Sequence, residues 1–62
     1  MTTRDLRILE LLASGKRPAT IGPELGIAPE TVKHNLCGIR REFGARSTTH
    51  AVAMAIRAGL IE

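Results

Sequence analysis

The chain has 62 residues, with nine Lys and Arg against six Asp and Glu, a net charge of +3 and a pI near 10.0. A chain this short buries only about 60% of the surface its unfolded form exposes, which excludes a nucleotide-binding α/β sheet, a barrel or a large enclosed active site. Hydrophobic residues at 44% still suffice for one small core, so residues 1–62 are expected to form a single domain rather than to stay disordered.

The first expected helix runs from about Thr3 to Ser14. Leu6, Leu9 and Ala13, with Ile8, Leu11 and Leu12 beside them, make a broad apolar stripe at helical spacing. Thr2 followed three residues later by Asp5 reads as a capping box, with Asp in the place of the usual Glu or Gln, and Met1 and Leu6 sit where a hydrophobic staple would close. Gly15 suits a left-handed end to that helix.

Lys16-Arg17-Pro18 then leads into a second helix, with Pro18 at a first position where its missing N–H costs nothing. Ile21 and Leu25 are its core contacts. Pro23 conflicts with a helix interior, because it removes a hydrogen bond and crowds the preceding turn. The expectation is therefore a start near Ala19 or Thr20, or a distorted helix. After the turn Gly26-Ile27-Ala28, a third helix opens at Pro29 and runs to about Phe43, where Gly44 stops it. Its N-cap, Ala28, offers no side-chain acceptor, at a cost of about 1 kcal/mol relative to Ser or Thr. Val32, Leu36, Ile39 and Phe43 form its narrow apolar stripe. A fourth helix is expected from about Thr48 to Ala58, capped by Ser47 and stopped by Gly59. No strand pattern or repeat interrupts this all-α reading.

The charge is uneven. Residues 1–32 hold four bases and four acids, whereas residues 33–57 hold Lys33, Arg40, Arg41, Arg46 and Arg57 against Glu42 alone. A basic second half fits an anionic partner, nucleic acid first, or simply a solvated cationic face. Having Phe43 as its one aromatic residue leaves the chain without the stacking platforms that single-strand and RNA readers use. Advancing 100° per residue from Val32 puts Glu30, His34, Cys37, Gly38 and Arg41 opposite the apolar stripe. Lys33 and Arg40 lie on one flank, Thr31 and Asn35 on the other. Two helices joined by a short Gly-containing turn, the second with a polar basic face, have the layout of a helix-turn-helix. Its second helix enters the major groove of DNA. Gly38 on that face would allow close approach of a base or the DNA backbone, for about 1 kcal/mol of helix propensity. An ordinary surface helix of a small bundle fits the same residues.

The order and spacing of several short runs resemble the LuxR-type (GerE-type) helix-turn-helix family over nearly the whole chain. The runs are Thr2-Thr3-Arg4-Asp5, Ile8-Leu9, Leu12-Ala13 with Gly15, then Ile21, Leu25 and Ile27. Thr31-Val32-Lys33 is the most specific, followed by Ile39, Arg41, Gly44, Arg46-Ser47, Thr49, Ala51-Val52 and Ala55-Ile56 with Gly59-Leu60-Ile61. The resemblance implies a four-helix, all-α domain that binds double-stranded DNA and regulates transcription, the second and third helices forming the DNA-binding pair. It places base reading at Lys33, His34 and Cys37, and phosphate contacts at Thr31, Asn35, Arg41 and Arg46. It implies a fourth helix that supports a homodimer on DNA, for which His50 and Met54 are the candidate seam. Two departures stand out: Asn35 replaces the family's usual His, and Pro18-Ala19-Thr20 replaces a polar run that normally includes a Lys.

Other chemistries find little footing. His34 and Cys37 are only two metal ligands, too few for a structural zinc site, and no cofactor is expected. There is no glycine-rich phosphate loop and no Ser-His-acid set, so an enzyme is not expected. The single cysteine, Cys37, excludes an internal disulfide; a lone thiol and the lack of a signal-peptide pattern fit the cytosol. No apolar run approaches the ~18–20 residues that span a bilayer, so no membrane role is expected. Cys37 reads as a small spacer, or as a thiol whose oxidation would disturb the basic face. The rival to DNA is a protein-interaction module of the same fold whose basic face binds RNA polymerase or another regulator.

Overall fold

The computed structural model describes all residues, 1–62. Four helices in chain order, with no strand, make up the fold: α1 (Thr3–Ala13), α2 (Pro18–Leu25), α3 (Pro29–Phe43) and α4 (Thr48–Arg57). α1 packs against each of the other three. α3 touches α2 on one side and α4 on the other, while α2 and α4 do not pack together.

Each helix start has a local cause. Thr2 and Asp5 close the expected capping box: the Asp5 amide donates to Thr2 Oγ1, and the Thr2 amide donates to Asp5 Oδ2, both at 3.1 Å. The staple partner Met1 remains 43% exposed. α1 ends one residue early, with Ser14 as its cap and Gly15 taking the positive φ of 98°. α2 begins at Pro18 and keeps Pro23 inside it. Pro23 has no N–H to offer the Ala19 carbonyl one turn back, and Ala19 is an exposed residue. The opening turn is tightened: the Thr20 amide reaches Arg17 O at 2.9 Å, while the Ile21 amide bonds the same oxygen at 3.3 Å.

α3 covers the expected range and starts at Pro29 with no side-chain cap. α4 starts on Ser47, whose Oγ accepts the His50 amide at 3.0 Å, and ends at Arg57 with Ala58 as its cap.

The core draws on every element. Ile8, Leu9 and Leu11 come from α1, Ile21 from α2, and Val32, Leu36 and Ile39 from α3. Ala51 and Ala55 come from α4, and Ile61 folds back from the tail. Burying each of the larger side chains is worth about 1.5–3 kcal/mol. No polar or charged residue is fully buried, so the core sets the helix arrangement through apolar packing. Phe43, at the end of the α3 stripe, is half-buried against this core. No helix is long and apolar enough to cross a membrane.

Candidate nucleic-acid interface

Burial of Val32, Leu36 and Ile39 fixes which side of α3 faces outward. The residues opposite them, Glu30, His34, Cys37, Gly38 and Arg41, are all exposed, as are Lys33 and Arg40 on the flank. Within this face the Arg41 guanidinium lies over Cys37, with Nη2 4.0 Å from Sγ. A β-carbon built on Gly38 would meet nothing within 4 Å, so the middle of the face is open to an incoming surface.

The cations of this half are uncompensated. The ion pairs of the molecule are the N-terminus with Glu42 at 3.4 Å, Arg7 with Glu10 at 3.5 Å, and Lys16 with Glu24 at 3.7 Å. None of them uses Lys33, Arg40, Arg41, Arg46 or Arg57. The positive charge of α3 is therefore directed to solvent, where an anionic partner meets it without first breaking an ion pair.

The other flank behaves differently. Thr31 and Asn35 are half-buried. Asn35 Nδ2 donates to Asp5 Oδ1 on α1 at 2.9 Å, which ties one of its two N–H groups to α1. Arg46 lies in the α3–α4 connection with its side chain exposed, away from α3 itself. Its backbone amide donates to His50 Nδ1 at 3.1 Å, while the His50 amide donates to Ser47 Oγ. These two bonds cross and hold the connection against the first turn of α4. His50 is thus half-buried and engaged within its own chain, and Met54 one turn later is also half-buried. The exposed large apolar side chains at this end are Ile56 and Leu60, each 46% exposed.

Two concave features lie outside the sequence expectations. One, of about 220 Å³, is an apolar notch between the starts of α2 and α3, lined by Pro18, Ala19, Pro29, Val32 and Lys33. The other, of about 270 Å³, lies between the end of α1 and the start of α4 and is lined by Leu12, Gly15, Lys16, Thr48, Thr49 and Val52. Each joins segments distant in the chain, which no local pattern announces.

Comparison with known proteins agrees with this geometry. Residues 1–55 match the model of the family described as bacterial regulatory proteins, luxR family. Over 61 residues, 98% of this chain, the sequence is 33% identical to the transcriptional regulatory protein YdfI of Bacillus subtilis. It is 36% identical over the same length to the transcriptional activator protein BjaR1 of Bradyrhizobium diazoefficiens. The chain spans only 29% and 25% of the length of these two relatives. Among solved structures, VqmA of Vibrio cholera, crystallised as a complex with ligand and DNA, superposes with a TM-score of 0.86 at 34% identity. That match covers 95% of this chain and 26% of VqmA. By its helices, its sequence and its neighbours, the chain belongs to the luxR family of bacterial regulatory proteins.

Proposed function

We propose that these 62 residues act as one double-stranded DNA-binding unit of a transcription regulator, with α3 in the major groove. The observation that carries this reading is the exposed face of α3, whose cations have no carboxylate partner and whose centre is open at Gly38. A DNA-bound structural neighbour supports the same role. Lys33, His34 and Cys37 read base edges, Lys33 being suited to the acceptors of guanine. Arg41, Arg46 and Thr31 anchor phosphates. Asn35 is left out of the phosphate set because its amide is held by Asp5. The unit works by binding, in the cytosol, and not by catalysis.

It acts as a weak homodimer that forms on a two-fold site, with α4 as the seam. His50 and Met54 sit on one side of that helix, and Ile56 and Leu60 add exposed apolar surface at its end.

A second reading is favoured by the apolar notch, lined by Pro18 and Ala19, where the family resemblance implies a polar start to the second helix. In it the same face binds RNA polymerase or another regulator. The double variant Lys33→Ala with Arg41→Ala separates the two. If DNA is the partner, duplex affinity falls and the slope of log affinity on log salt shrinks by about 1–2 units. Unchanged duplex affinity refutes the DNA reading.

A further inference from the structure

The bond between Asn35 and Asp5 is the only hydrogen bond linking side chains of different helices. It joins residues thirty positions apart. Asp5 divides its carboxylate between two tasks: Oδ2 closes the cap of α1, and Oδ1 accepts from Asn35 in α3. The amide has one sensible orientation, because turning it over would set its oxygen against a carboxylate. In that orientation Asn35 Oδ1 is buried and has no partner. An orphaned acceptor costs stability. A leucine at 35 would remove that cost but also the donor to Asp5 Oδ1, so the two stability effects oppose each other.

Beyond this bond, α1 and α3 are joined by apolar packing, with the N-terminus–Glu42 ion pair just ahead of α1. A bond to an ionised oxygen is directional. Asn35 also lies next to His34 and two residues from each of Lys33 and Cys37, the side chains that read bases in the proposed function. Such side chains must be held to within about 0.5 Å to act selectively.

We propose that Asn35 is a positioning residue: through Asp5 it sets the rotation and height of α3 on α1, so that Lys33, His34 and Cys37 meet base edges in one register. It contacts no DNA itself. This rests on the DNA-binding reading above.

The test uses the duplex recovered by selection with the wild-type chain, a scrambled duplex, a salt series and thermal melting. Asn35→Leu removes both the bond and the orphaned acceptor. Its expected melting temperature is close to that of wild type, since the lost bond and the lost orphan oppose each other, and its salt slope is unchanged. Its affinity ratio between selected and scrambled duplex is expected to fall about tenfold, the size of one misread base pair. Asn35→His, which keeps an N–H donor toward Asp5, is expected to retain most of that ratio. A salt slope smaller by about one unit in Asn35→Leu would make Asn35 a phosphate ligand and overturn the proposal. An unchanged ratio would overturn it too. If Asn35→Leu fails to fold, Asn35→His decides: folded with the ratio kept supports positioning, folded with the ratio lost refutes it. Failure of the wild-type chain to bind any duplex appears before a variant is made and removes the DNA reading, and the proposal with it.

Discussion

Gly22 and Ile27 close the α2–α3 turn from both sides. The Ile27 amide donates to Gly22 O at 2.9 Å, and the Ile27 carbonyl oxygen lies 2.9 Å from where a β-carbon on Gly22 would be. Val32 Cγ2 and Pro29 N stand 3.6 and 3.8 Å from the same point. The obstacle is backbone, which cannot swing aside as a flexible side chain does. The absence of a side chain at 22 is what lets α3 sit this close to α2.

Gly22→Ala is therefore expected to destabilise the fold, although alanine is the better helix former. The helix gain is about 1 kcal/mol, and overpacking against backbone costs about 1–3 kcal/mol or more. Thermal melting would show the net loss, at about 4–8 °C per kcal/mol for a domain near this size. A melting temperature at or above wild type would mean that the turn yields.

Gly38→Ala is expected to do the opposite. Nothing lies within 4 Å of the added methyl, and the site is exposed in the middle of α3. Melting should rise by the equivalent of about 0.5–1 kcal/mol. Duplex affinity should drop, because the methyl stands on the face proposed to approach DNA. A variant that is stabilised and binds as well as wild type would move the interface off this part of α3.

The two helix caps make a matched pair. Ala28 has cap geometry, φ −69° and ψ 151°, but no side-chain acceptor, whereas Ser47 accepts the His50 amide. Ala28→Ser is expected to stabilise by about 0.5–1 kcal/mol and Ser47→Ala to destabilise by about 1 kcal/mol. Equilibrium urea denaturation of both variants reads the two signs. A loss in Ala28→Ser would show that the open cap is needed as it is.

How much of this was legible in the sequence follows from the range of each interaction. The capping box, the Pro29 start and the Ser47 cap rest on neighbours within a few residues, and the residue pattern announces them. Pro23 leaves a later start or a distorted helix as alternatives; α2 begins at Pro18 and its first turn is tightened, the Thr20 amide bonding Arg17 O. The outer face of α3 followed from its apolar stripe, since burial of Val32, Leu36 and Ile39 leaves the opposite residues outside. The role of Gly22 was not legible, because it depends on a carbonyl that only the folded turn brings back. Helix position puts Asn35 on a flank of α3, and the family resemblance alone implies a phosphate contact for it. Its amide turns inward because Asp5, thirty residues earlier, offers a charged acceptor there.

The most direct test of the account is retention of a random-sequence duplex pool by the wild-type chain across a salt series, with sequencing of what is held. Affinity is expected to fall steeply with salt, since uncompensated cations displace counterions. Enrichment of an inverted repeat with half-sites about one helical turn apart is also expected. No retention even at low salt would contradict the DNA reading and leave a protein surface as the partner of α3.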